Sequence, residues 1–168
     1  GREVALAASS MGSKPSKPPP ERVLVVGATG RTGRRLVQRL CADPRYEVTA
    51  LVRDTDKAQR TFGDEQVQLV EGDLHDVGAW AHHLSGVSQV VTAVSCGQWT
   101  DPQVVLGIRP APANMPQRTD AEGIAALASA AKEHGVSRIV AVTTASAGSP
   151  WSPAAIFLNT VHYASVKH

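Results

Sequence analysis

The stretch from residue 23 to residue 33 limits the possible folds most. Val23-Leu24-Val25-Val26 is a continuous apolar run, and Gly27-Ala28-Thr29-Gly30-Arg31-Thr32-Gly33 follows it directly. A strand apolar at successive positions is buried on both faces, as in a parallel sheet with helices on each side. The three glycines then have separate tasks. Gly27 permits a sharp turn, Gly30 lets the backbone approach a pyrophosphate at a helix N-terminus, and Gly33 lets that helix pack close to the sheet. A tight strand–helix turn without a ligand would need a similar pattern, so the context has to decide.

That context is a regular alternation. After the first strand, residues 31 to 42 read as a helix with Leu36, Val37 and Leu40 on one face. Strands are expected at Glu47 to Val52, Val67 to Val70, Val87 to Val94 and Ile139 to Val142, with helices from about Asp56, over Asp76 to Leu84, and over Thr119 to His134. In the last of these, Ile124, Leu127, Ala128 and Ala131 share a face and Gly135 ends it. Ser152-Pro153 reads as the start of one more helix. Five strand–helix alternations predict an α/β fold: a doubly wound parallel sheet of order 3-2-1-4-5.

Two regions fall outside this rhythm. Residues 1 to 20 end in Lys14-Pro15-Ser16-Lys17-Pro18-Pro19-Pro20 and read as a disordered or processed tail, leaving 21 to 168 as the domain. The chain has 17 basic and 15 acidic side chains. Arg2, Lys14, Lys17 and Arg22 against Glu3 and Glu21 account for the whole excess, so the domain itself is neutral. That argues against a nucleic-acid face on the folded part. Residues 95 to 118 hold Pro102, Pro110, Pro112 and Pro116, and a loop of that length suits a functional role, such as contact with a larger protein assembly.

No apolar run approaches the roughly 20 residues of a transmembrane helix. Cys41 and Cys96 stand alone, without the ligand spacing of a zinc site, and suit a reducing compartment. Cys96 is read as a small packing residue, His82-His83 as an exposed helix face, and Trp99 and Trp151 as packing under loops.

The loop spacing is GxxGxxG, and with it the chain resembles the atypical, NmrA-like branch of the short-chain dehydrogenase/reductase superfamily. Five segments carry the resemblance: Gly27 to Gly33; Ala50-Leu51-Val52-Arg53-Asp54; Glu71-Gly72-Asp73-Leu74; Thr119-Asp120-Ala121-Glu122-Gly123; and Ala130 to Val140. The resemblance implies an NAD(P)-binding Rossmann domain. Its cofactor-binding residues would be Gly27, Thr29, Gly30, Arg31, Thr32, Gly33, Arg53, Asp73, Leu74, Ala93 and Lys167, with Asp73 at the adenine. Family members continue with further strands and a substrate region, so the domain is expected to lack the C-terminal part of the family fold.

The end of strand two bears on which dinucleotide fits. An NAD site wants a carboxylate there, whereas Arg53 suits a 2′-phosphate, and Arg31 could reach the same group. Asp54 complicates this, because a shift of one residue would put a carboxylate at the key position. NADP(H) is the expected cofactor. Tyr163-Ala164-Ser165-Val166-Lys167 is a YxxxK pattern, whose lysine would lower the phenol pKa for proton transfer and hold a ribose. Thr144 or Ser146 would supply the hydroxyl partner. The expected function is therefore an NADP(H)-dependent oxidoreductase, or else a non-catalytic NADP-binding scaffold, redox sensor or assembly factor. The small, hydroxylated, acid-free Val4 to Ser10 resembles the end of an organellar transit peptide, in which case the chloroplast stroma is expected before the mitochondrial matrix. An ordinary flexible N-terminus would look similar.

Overall fold

A computed structural model describes residues 17–94, 119 and 122–142. The expectations for Cys96, Trp99, the segment 95–118, Thr144, Ser146, Trp151, the helix after Ser152, Tyr163 and Lys167 lie outside the described residues, as do those for the tail up to residue 16.

Five strands alternate with helices: β1 (Glu21–Val26), α1 (Arg31–Cys41), β2 (Tyr46–Val52), α2 (Thr55–Phe62), β3 (Val67–Glu71), α3 (Val77–Trp80), a 3-10 turn (Ala81–Leu84), β4 (Gln89–Thr92), α4 (Ile124–Glu133) and β5 (Arg138–Ala141). All pairings are parallel, and the sheet order is β3-β2-β1-β4-β5. The expected doubly wound Rossmann-like sheet is the one found. The order reverses direction between β1 and β4, and doubly wound sheets open a crevice at that point.

Alternation along β1 explains the two-sided core. Val23 and Val25 pack with Val37 of α1 and with Ala58 and Phe62 of α2. Leu24 and Val26 point the other way, into a cluster with Val77 and Trp80 of α3, Leu84, Val90, and Leu127 and Ala130 of α4. Every residue of β1 from Val23 to Val26 is buried, as a central parallel strand requires.

Several boundaries differ from the sequence expectation. The third helix is one α-turn followed by a 3-10 turn, and Asp76 precedes it. Two residues with low helix preference, Gly78 and Val77, sit in its four residues, which favours an early change of pitch. His82 and His83 are exposed on that turn, as expected. β4 is shorter than its apolar run, pairing only over Gln89–Thr92. In α4 the buried residues are Leu127, Ala130 and Ala131, while Ala128 is exposed. Alanine is apolar enough to suggest a face and small enough to sit outside it. Among the described residues β5 is an edge strand, and its Ile139 and Val140 are 38% and 44% exposed, so pairing with β4 does not bury it. No helix among the described residues is long and apolar enough to cross a membrane.

Leu24 is fully buried in the middle of the sheet, so Leu24→Ala leaves a cavity that the flanking strands cannot close. A loss of about 3 kcal/mol is expected by urea unfolding, against well under 1 kcal/mol for the exposed Gln38→Ala.

Candidate functional site

The C-terminal ends of β1, β2, β3 and β4 surround a cleft of about 370 Å³. Val26, Gly27, Thr29 and Gly30 form its floor. Arg53 and Lys57 stand at the β2 end, Gly72 to His75 at the β3 end, Ala93 and Val94 at the β4 end, and Thr119 approaches from the α4 side.

The floor is shaped by what the glycines lack. Gly27 has φ +78°, a conformation that L side chains rarely adopt, and a Cβ there would lie 2.8 Å from the Ala93 carbonyl oxygen. A Cβ on Gly33 would overlap the Gly27 carbonyl oxygen. That oxygen accepts the Gly30 N–H at 3.1 Å, closing the turn. Gly30 is the residue before α1 and offers no side chain to cap it, so the N–H groups of the first turn point out unclaimed by a cap. No acidic residue lies in that turn, which begins with Arg31. Arg31, Thr32 and Gly33 themselves are in the first turn of α1 and not in the cleft lining. Backbone N–H groups, the positive helix end and space for close approach together fit a phosphate-bearing ligand.

At the β2 end, Arg53 and Asp54 take different places. β2 stops at Val52, and Arg53 is the next residue and lines the cleft. Asp54 is the N-cap of α2: its Oδ1 accepts the Lys57 N–H at 2.8 Å. A carboxylate used in this way is held beside the helix and does not line the cleft. Lys57 does line it, and sequence reading passed over this residue. Its signal was available, because an aspartate N-cap places the third residue after it in the first helical turn.

The β3 end is a short polar loop. Asp73 lines the cleft, and its Oδ1 accepts the His75 N–H at 2.9 Å; among the described residues no donor reaches its second oxygen. The His75 Nε2 lies 3.3 Å from the hydroxyl of Thr119, which is buried. This pair links the β3 loop to the lead-in of α4. Neither residue stood out in the sequence as part of the cleft, since a lone histidine and a lone threonine carry no spacing.

A second, larger depression of about 540 Å³ lies at the opposite end of the sheet, between Pro20, Cys41 and the starts of β2 and β3. Size favours it, but it has neither a helix N-terminus nor a strand-end crevice, and the chemistry of the first cleft is the more specific. The Cys41 thiol donates to the Gln66 carbonyl at 3.5 Å, and burial, aided by Glu65, pushes its pKa up, so it stays protonated and weakly nucleophilic.

Residues 27–167 match the family model described as NAD(P)H-binding. The chain belongs to the NAD(P)H-binding family. An uncharacterized chloroplastic protein of Arabidopsis thaliana is 31% identical over 147 residues, covering 83% of this chain and 48% of that protein. The chain thus spans about half the length of this curated relative. Among solved structures, the oxidoreductase ylbE of Lactococcus lactis superposes with a TM-score of 0.60 at 19% identity, covering 85% of this chain and 58% of its own. A proposed NAD-dependent epimerase/dehydratase of Bacillus halodurans gives 0.64 at 23%, covering 86% and 59%. These likenesses establish the fold. The family establishes a nicotinamide dinucleotide as the ligand class, and the glycine floor at the strand ends is where such a ligand fits.

Two glycine substitutions separate strain from site. Gly63 also has a positive φ, but a Cβ there meets open space. Gly63→Ala is expected to lower stability without affecting dinucleotide binding. Gly27→Ala adds the clash with Ala93 and should weaken binding at least about tenfold in a titration of intrinsic fluorescence. Equal binding by both variants would remove the floor from the site.

Proposed function

We propose that the chain binds NADP(H) in this cleft and acts as the cofactor domain of an atypical short-chain oxidoreductase on an organic carbonyl or olefin. The observation that carries the choice of NADP is the β2 end. Arg53 and Lys57 present two cations to the cleft, while the neighbouring carboxylate of Asp54 caps α2. A 2′-phosphate suits a guanidinium fork and an ammonium, whereas the ribose hydroxyls of NAD call for a free carboxylate acceptor. Arg31, at the start of α1, is a third cation for the same phosphate. Asp73 would accept from the adenine amine, with Leu74 beside it, and Ala93 would pass under the dinucleotide. The bound nicotinamide supplies hydride transfer. In this reading Tyr163 delivers the proton, Lys167 lowers its pKa and holds the ribose, and Thr144 aligns the substrate oxygen.

The chloroplastic Arabidopsis relative and the acid-poor tail support a plastid location, which we assign to the stroma. The precursor's N-terminal segment, fused ahead of a fluorescent reporter, should carry it into chloroplasts on this assignment, and diffuse cytosolic signal would overturn it.

Titration of the purified protein with both reduced dinucleotides tests the cofactor. NADPH is expected to bind at least about tenfold more tightly than NADH, since charge-assisted bonds to the extra phosphate are worth about 1.5–3 kcal/mol. Arg53→Ala combined with Lys57→Ala should erase that preference while leaving NADH binding intact. NADH binding as tight as NADPH would overturn the role of both cations. NADPH binding without any turnover that Tyr163→Phe abolishes would place the chain in the scaffold or redox-sensor class, where contacts through residues 95–118 with a larger assembly become the function to seek.

A further inference from the structure

One side chain that does not line the cleft holds the wall that a dinucleotide would read. Trp80, the last residue of α3, is 1% exposed and sits behind the Gly72–His75 loop. Its indole Nε1–H donates to the Asp73 carbonyl at 2.8 Å. The same oxygen accepts the Asp76 N–H at 3.0 Å, so two donors fix it from the α3 side. The ring also packs against the loop backbone. A Cβ on Gly72 would lie 2.6 Å from Trp80 Cδ1 and 2.8 Å from Cγ, so the indole occupies the space that any side chain at that position would need. On its other flank the loop is tied to β2 by the Gly72 N–H, which donates to the Val52 carbonyl at 2.9 Å.

These contacts make the loop a rigid piece with one free functional edge. The Asp73 backbone oxygen is held by Trp80 and Asp76, and its Oδ1 by the His75 N–H. Among the described residues, no partner takes the second carboxylate oxygen, and Gly72 to Leu74 line the cleft beside it. A leucine or phenylalanine at position 80 would fill the same core but leave Asp73 with one donor fewer, because neither carries the indole N–H.

We propose that Trp80 is a positioning residue for the cofactor cleft: its indole N–H and ring set the height and orientation of Asp73, and through Asp73 the affinity for the adenine end of a dinucleotide. The inference rests on reading the cleft as a dinucleotide site. It predicts an effect on one half of the ligand, which a purely structural role would not produce.

The test uses the full chain and two ligand halves, adenosine 2′,5′-bisphosphate and reduced nicotinamide mononucleotide, together with NADPH. Trp80→Phe keeps an aromatic ring and removes the donor. It should weaken adenosine bisphosphate and NADPH by about fivefold, the worth of one buried hydrogen bond, and leave the mononucleotide unchanged. A second readout does not depend on that variant folding. The chain has three tryptophans, so Trp99→Phe with Trp151→Phe leaves Trp80 as the sole indole emitter. Its emission maximum should shift on adding adenosine bisphosphate and stay constant with the oxidised mononucleotide, which does not absorb in the emission band. Unchanged affinity in Trp80→Phe, equal losses for both halves, or a silent Trp80 signal would each overturn the role of Trp80. Failure of the wild-type protein to bind NADPH or either half would instead overturn the dinucleotide reading, and this inference with it.

Discussion

The approach of α1 to the end of β1 is the constraint on which the rest of the structure depends. The Gly27 carbonyl lies where a Cβ on Gly33 would be, and the Gly27 Cα lies against the Ala93 carbonyl. Two missing methyl groups thus bring the first strand, the first helix and the end of β4 into mutual contact. Moving α1 outward to make room would draw Val37 away from Val23 and Val25 and open the core on that face. It would also carry the helix N-terminus away from the switch point. Packing and ligand geometry are therefore the same requirement at these positions, and neither can be relaxed alone.

The fold was legible because hydrophobic period and glycine placement act locally. Val23 to Val26 must be buried on both faces, and only a helix on each side of a parallel sheet does that. Ends were less legible. β4 stops at Thr92 although Ala93 and Val94 continue its apolar run, because those two residues turn into the cleft wall. Ala128 looked like a core residue and is exposed, because alanine carries little information about which way it faces. The glycine floor of the site could be read from the glycine spacing in its strand–helix context, and Lys57 from its place after the Asp54 cap, whereas His75 and Thr119 reach the cleft through tertiary placement that no spacing encodes.

Asp54 shows how a local rule can decide a long-range property. In the one-dimensional sequence, Arg53 and Asp54 are adjacent opposite charges at the end of a strand, and either could face a ribose. The choice is made by helix capping. The first turn of α2 needs an acceptor for its free N–H groups, and the aspartate supplies it to Lys57 at 2.8 Å. Once the carboxylate is held beside α2, the charged side chains that line the β2 end of the cleft are those of Arg53 and Lys57. A contact typically worth about 1 kcal/mol to a helix thereby decides which of two adjacent side chains lines the β2 end of the cleft.

The start of α1 makes the complementary point. Negative charge is favoured in a helix first turn, yet this one carries Arg31, with Arg34 close behind and no acid. Gly30 before it brings no capping side chain. The basic first turn is unfavourable for an isolated helix and the glycine leaves its N–H groups without a side-chain acceptor, whereas nearby α2 has the opposite arrangement, with an aspartate cap and Asp56 in the first turn. The two helices pack on the same face of the same sheet, so a general property of the fold cannot explain the difference. What distinguishes them is their position relative to the cleft: α1 begins at the switch point and α2 begins at its rim. Local stability is optimised in α2 and left unmet in α1, and an anionic ligand at the α1 terminus would satisfy both the free N–H groups and the arginine charge at once.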